Sequence, residues 1–115
     1  MSALEDELYF QMQAIGLEPI REYPAILGRK FRFDFALEEP MILIEVQGGT
    51  WSAGKMAHNS GTGIRRDCVK LNLAQLAGWK VLQFTSDMIR DGEALATLEK
   101  FMERDTCSAN NATTP

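Results

Sequence analysis

The chain has 115 residues, 45% of them apolar and 24% charged, which suits one globular domain with its own core and excludes wholesale disorder. No apolar run approaches the roughly 20 residues of a membrane-spanning helix, and the acidic opening MSALEDELYF lacks the basic-then-apolar order of a signal peptide. A net charge of −4 disfavours a nucleic-acid partner only until it is divided along the chain. Residues 1–20 hold four acids and no base, and residues 81–115 hold six acids and three bases. Residues 21–80 hold nine bases and six acids, so a locally basic surface is compatible with an acidic whole. Cys68 and Cys107 stand far apart and build no disulfide framework, which fits a reducing cytoplasm.

The stretch after Ser2, ALEDELYFQMQAIG, reads as an amphipathic helix closed by Gly16, with Leu4, Leu8, Met12 and Ile15 as its buried stripe. REYPAIL is a short irregular strand, and Pro24 places it at an edge. GRK turns into FRFDFAL, whose alternation points Phe31, Phe33 and Phe35 one way and Arg32, Asp34 and Ala36 the other. EEP turns into a third strand over residues 41–47, MILIEVQ. Residues 48–63 hold five glycines and read as a long functional loop. A second helix is expected over residues 64–77, ended by Gly78. WKVLQFT then reads as a strand, and a last helix, capped by Ser86 or Asp87, runs to about Met102. Residues 105–115 form a polar tail expected to fray, leaving residues 1–104 as the single domain. The order αβββαβα implies an α/β fold, a mixed central sheet of about four strands flanked by helices.

Glu45 is the residue that needs explaining, because an isolated carboxylate inside an apolar strand costs several kcal/mol to desolvate. Alternation puts Met41, Leu43, Glu45 and Gln47 on one face of their strand, and a short turn makes Asp34 a neighbour of Glu45. Two carboxylates that converge raise each other's pKa unless a cation lies between them. Magnesium takes one or two carboxylates together with water and phosphate. The alternative is a solvated sheet edge, with Asp34 paired to Arg32 or Arg66 and Glu45 to Lys70.

Asp34, a short turn and then Glu45-Val46-Gln47 resembles the PD-(D/E)XK nuclease motif, in which an acid on one strand precedes acid-X-lysine on the next. The wider pattern FRFDFAL, ILIEVQGGTW, a loop histidine and GWKVLQFT resembles small phage and prophage endonuclease-like proteins. These are described as Holliday-junction-resolvase-like and share features with very-short-patch-repair nucleases. The resemblance implies a restriction-endonuclease-like fold and a magnesium-dependent endodeoxyribonuclease in the bacterial host cytoplasm, with manganese able to substitute. It implies metal ligation by Asp34, Glu45 and the carbonyl of Val46. It also implies an acid from the first helix, for which Glu5 is best placed because it flanks the buried stripe. An acid favouring the helix dipole is the other reading of Glu5.

Two positions depart from the motif. Phe33 stands where proline is usual, and Gln47 stands where lysine is usual, so no cation is supplied there. Lys70 is the candidate replacement, or else the i, i+3 partner of Asp67. His58 is a candidate general acid or phosphate contact, or a neutral loop residue. Arg65 and Arg66, with Lys55 and Arg32, are the candidate nucleic-acid contacts. DNA is the expected partner, and a homodimer is the simplest way for so small a domain to cut two strands. A non-catalytic binding module on the same fold, and a nuclease acting on RNA, remain open. Trp79 is expected in the core, while Trp51 anchors the loop or stacks on a base.

Overall fold

The computed structural model describes residues 3–47 and 61–113, with side chains described for residues 3–47 and 63–103. The elements are α1 (Ala3–Ala14), β1 (Ile20–Tyr23), β2 (Phe33–Leu37), β3 (Ile42–Gln47), α2 (Gly61–Leu76), β4 (Lys80–Thr85), α3 (Ser86–Arg90) and α4 (Glu93–Thr113). Among the described residues the strands form one sheet in the order β1-β2-β3-β4. The pairs β1/β2 and β2/β3 are antiparallel. The crossover through α2 makes β4 parallel to β3, in register from Ile42 opposite Lys80 to Gln47 opposite Thr85. The mixed α/β architecture is therefore the one the element order implies.

Two glycines set the ends of the helices that flank the sheet. At α1, Gly16 has φ +87°, its N–H reaches Gln13 O at 3.0 Å, and the Leu17 N–H reaches Met12 O at 3.0 Å. At α2, Gly78 has φ +98°, its N–H reaches Gln75 O, and the Trp79 N–H reaches Ala74 O, both at 3.0 Å. Both are Schellman motifs, which need a left-handed residue and so favour glycine. The second one delivers Trp79 directly into the core, as expected.

The sheet has two apolar faces. On one, Leu8 and Met12 of α1, Ile89 of α3, and Ala94 and Leu98 of α4 cover Phe35, Leu37, Ile42, Ile44 and Phe84. On the other, Ala74 of α2 and Trp79 meet Phe33, Ala36 and Leu43. Leu8, Met12, Phe33, Phe35 and Leu43 are fully buried, and each contributes about 1.5–3 kcal/mol.

Several sequence expectations need correction. Ile15 falls past the last turn of α1 and is exposed rather than part of the stripe. β1 ends at Tyr23, so residues 24–27 are not strand, although the segment is the edge strand expected. Met41 has φ +57° and belongs to the turn before β3. The second helix starts at Gly61, not at residue 64. The last helix is two helices. Gly92, with φ +89°, breaks it after Arg90, and the cap is Thr85, whose Oγ1 accepts the Met88 N–H at 3.4 Å, rather than Ser86 or Asp87. The backbone of α4 continues past Met102 to Thr113, into the segment expected to fray. No described helix is long and apolar enough to cross a membrane.

Candidate functional site

The site begins where the β2/β3 ladder stops. Backbone pairing runs from Leu37 opposite Ile42 to Phe35 opposite Ile44. One step further, Asp34 and Glu45 face each other, and their side chains take over from the ladder. The Asp34 N–H donates to Glu45 Oε1 at 3.1 Å, and the Val46 N–H donates to Asp34 Oδ2 at 2.7 Å. Each acid thus satisfies a backbone donor of the opposite strand, which matters because an unmet buried N–H costs about 1–3 kcal/mol. The expected convergence of Asp34 and Glu45 is present, and the suggested pairing of Asp34 with Arg32 or Arg66 is not.

Lys70 of α2 reaches the other oxygen of Glu45, with Nζ 2.6 Å from Oε2. The two side chains are only 15% and 16% exposed, so this is no solvated edge pair. The same ammonium lies 4.4 Å from the centroid of the Phe33 ring. It pairs with Glu45 instead of Asp67. Burial nevertheless pushes the Glu45 carboxyl above its ordinary value, against the lowering effect of Lys70. Burial also raises Asp34, with the Val46 N–H opposing and the negative charge of Glu22 adding.

Glu22 is the residue that sequence reasoning missed. The β1/β2 register, Arg21 opposite Phe35 and Tyr23 opposite Phe33, sets Glu22 across from Asp34. Glu22 has φ +52°, an uncommon conformation for a residue with a side chain. A regular strand would point Arg21 and Tyr23 to one face. Here the Arg21 guanidinium stacks 5.4 Å from the Phe35 ring on the α1 side, while Tyr23 meets Trp79 edge-on at 5.5 Å on the α2 side. Phe33 and Phe35 part in the same way, into the two separate core clusters. The expectation that the two phenylalanines share a face is therefore overturned. The alternation breaks at two facing positions, Glu22 and Asp34, and both carry carboxylates.

That break turns Asp34 toward β1 and α1. Carboxylate oxygens of Glu5, Glu22 and Asp34 lie within 4.8 Å of one another. Glu5, the acid of α1 expected near the site, is a member of this grouping, and the neighbouring Asp6 holds Arg21 at 2.9 Å. Glu45 is outside the trio, so Asp34 joins an acidic side, Glu5 and Glu22, to an ion-paired side, Glu45 and Lys70. All of these donors are hard carboxylate oxygens, the ligand set that suits magnesium, manganese or calcium.

Beside Asp34 and Glu45 opens a cleft of about 290 Å³, lined also by Val46, Gln47, Asp67 and Lys70. The exposed Gln47 donates from Nε2 to Gln83 Oε1 at 3.1 Å. Arg32, Arg65 and Arg66 are exposed. Because α2 starts at Gly61, Arg65 and Arg66 sit beyond its first turn, and the helix terminus lends them no help with an anion. His58, Lys55 and Trp51 lie outside the described residues.

No protein-family model matches the chain, and no curated protein matches it by sequence. Among solved structures, the catalytic domain of the homing endonuclease I-Bth0305I is similar, with a TM-score of 0.64 and 18% identity. The match covers 88% of this chain and 94% of that one. The four-stranded mixed sheet and its flanking helices are thus similar in fold to that domain.

Proposed function

We propose that this chain is a divalent-metal-dependent DNA endonuclease of the PD-(D/E)XK kind. The observation that carries the reading is the exchange of caps between Asp34 and Glu45 at the end of the β2/β3 ladder, beside a polar cleft. The nuclease fold shared with the homing endonuclease domain supports it.

In this reading Asp34, Glu45 and the Val46 carbonyl would hold the metal, together with Glu5 and Glu22. Bound there, magnesium or manganese supplies Lewis-acid stabilisation of phosphate charge and a more acidic water. Lys70 places an ammonium at the cleft, where the motif's usual lysine is replaced by Gln47, and steadies negative charge growing on the phosphate. The Gln47 amide orients the incoming water. His58 donates a proton to the leaving oxygen. Arg32, Lys55, Arg65 and Arg66 hold the DNA backbone, and two copies of the domain together cut both strands. A branched junction is the substrate suggested by the resolvase-like resemblance.

A catalytically inactive binding module is the second reading, favoured by one observation. The Lys70 ammonium already compensates Glu45 without any metal. Calorimetric titration of magnesium and manganese into the wild type and Glu45→Gln, with cleavage of linear and branched DNA in the same buffers, separates the two. Metal binding and cleavage that are both lost in the variant support the nuclease. DNA binding in both proteins with no metal uptake and no cutting supports the module.

A further inference from the structure

The turn between β1 and β2 carries Arg29, Lys30 and Arg32, all exposed, around the half-buried Phe31. The Arg29 guanidinium lies 5.2 Å from the centre of the Phe31 ring, and the Arg66 guanidinium of α2 lies 5.7 Å from the same centre. Phe31 thereby ties the turn to α2 through two cations that converge on one ring. Like charges gathered this way repel, and a counter-anion relieves them. Among the described residues Arg21 is paired with Asp6 and Lys70 with Glu45, and none of Arg29, Lys30, Arg32, Arg65 and Arg66 shows such a pair. The pattern repeats one helical turn on, where Lys70 sits over Phe33 and reaches into the cleft.

We infer that Arg29 and Arg66, bracketing Phe31, form a dedicated seat for a backbone phosphate of nucleic acid, flanked by Lys30, Arg32 and Arg65. Arg66 and Lys70 are four residues apart on α2, about 6 Å along its axis. At a rise of roughly 3.4 Å per nucleotide, the seat holds a phosphate one or two nucleotides from the one entering the cleft. The strip reads charge and not sequence, because guanidinium groups meeting phosphate carry no base information. The inference rests on the nuclease reading only in taking nucleic acid as the ligand.

The test is binding of a fluorescein-labelled 20-base-pair duplex in EDTA, so that no cutting intervenes, across a series of salt concentrations. Each phosphate contact removed lowers the slope of log affinity against log salt by about 0.9. Arg29→Ala with Arg66→Ala is expected to lower the slope by about 0.9, because the pair holds a single phosphate. The equal-charge control Arg90→Ala with Lys100→Ala, on α3 and α4, is expected to leave it unchanged. Phe31→Leu, which keeps bulk and charge but loses the aromatic face, is expected to weaken binding severalfold, with its fold checked by thermal melting. An equal loss of slope in the control, an unchanged slope in the arginine pair, or no duplex binding by the wild type overturns the seat. Cleavage in magnesium is scored separately. Strip-dependent binding without cleavage removes the catalytic reading and keeps the seat, whereas cleavage with a strip-independent slope does the reverse.

Discussion

Asp34 and Glu45 each complete the other's strand. The Asp34 N–H is held by Glu45 Oε1 at 3.1 Å, and the carboxylate of Asp34 holds the N–H of Val46, the residue after Glu45, at 2.7 Å. A charge-bearing site is thus also the point where two strands of the sheet part, and substitutions there affect stability and chemistry together. Asparagine at position 34 keeps an acceptor for Val46, and alanine does not. Asp34→Ala is therefore expected to lose about 1–3 kcal/mol in urea unfolding, with Asp34→Asn nearer the wild type. Both are expected to lose metal binding by calorimetry.

Removing Lys70 leaves Glu45 half-buried without its counter-ion. Lys70→Met is expected to cost about 2–3 kcal/mol, below the upper range for fully buried pairs. Adding Glu45→Gln in the same chain is expected to recover part of that loss. A double-mutant cycle by chemical denaturation measures the recovery.

If Lys70 supplies the cation that Gln47 lacks, the two positions are functionally exchangeable. Lys70→Met is expected to slow DNA cleavage by about 10²–10³-fold, the scale for losing one charge-stabilising donor. Gln47→Lys is expected to restore a substantial part of the rate in that background. A single-turnover assay of the four combinations decides it, and a Gln47→Lys chain that rescues nothing removes Lys70 from this role.

Acidity has a defined direction in the metal-free protein. The Asp34 and Glu45 carboxyls are both raised above their ordinary values of 3.8 and 4.5. A raised carboxyl binds its proton more tightly in the folded state. Its contribution to stability is full below the ordinary value and drains away as pH rises through the folded one. In EDTA the melting temperature is therefore expected to carry a component that falls as pH rises above about 4.5, flattened in Asp34→Asn and Glu45→Gln. Magnesium is expected to raise the melting temperature more at pH 7 than at pH 5, because protons compete for the same oxygens.

The sequence made some parts of this site readable and hid others for identifiable reasons. Asp34 and Glu45 were legible because alternation and a short turn suffice to bring them together. Gly16 and Gly78 were legible because a Schellman end demands what glycine supplies. Glu22 was hidden by its own backbone. Its left-handed φ breaks the alternation from which faces are read, and with it the common face assigned to Phe33 and Phe35. Yet Glu22 and Asp34 are each six residues from Gly28, and counting outward from that turn would have paired them. The break at Gly92 was signalled by Asp91-Gly92 and overridden by the apolar spacing around it. The early start of α2 at Gly61 runs against glycine's low helix propensity, so no local signal marked it.

In the proposed function Asp34 belongs to a metal site that cuts DNA. The most direct test follows nicking of a supercoiled plasmid by the wild type and Asp34→Asn with magnesium, with duplex binding measured in parallel in EDTA. Nicking by the wild type alone, stopped by EDTA, with equal binding by both proteins, is the expected result. Binding by both proteins with no nicking by either, in magnesium or manganese, would contradict the claim and leave Asp34 a structural acid holding the Val46 N–H.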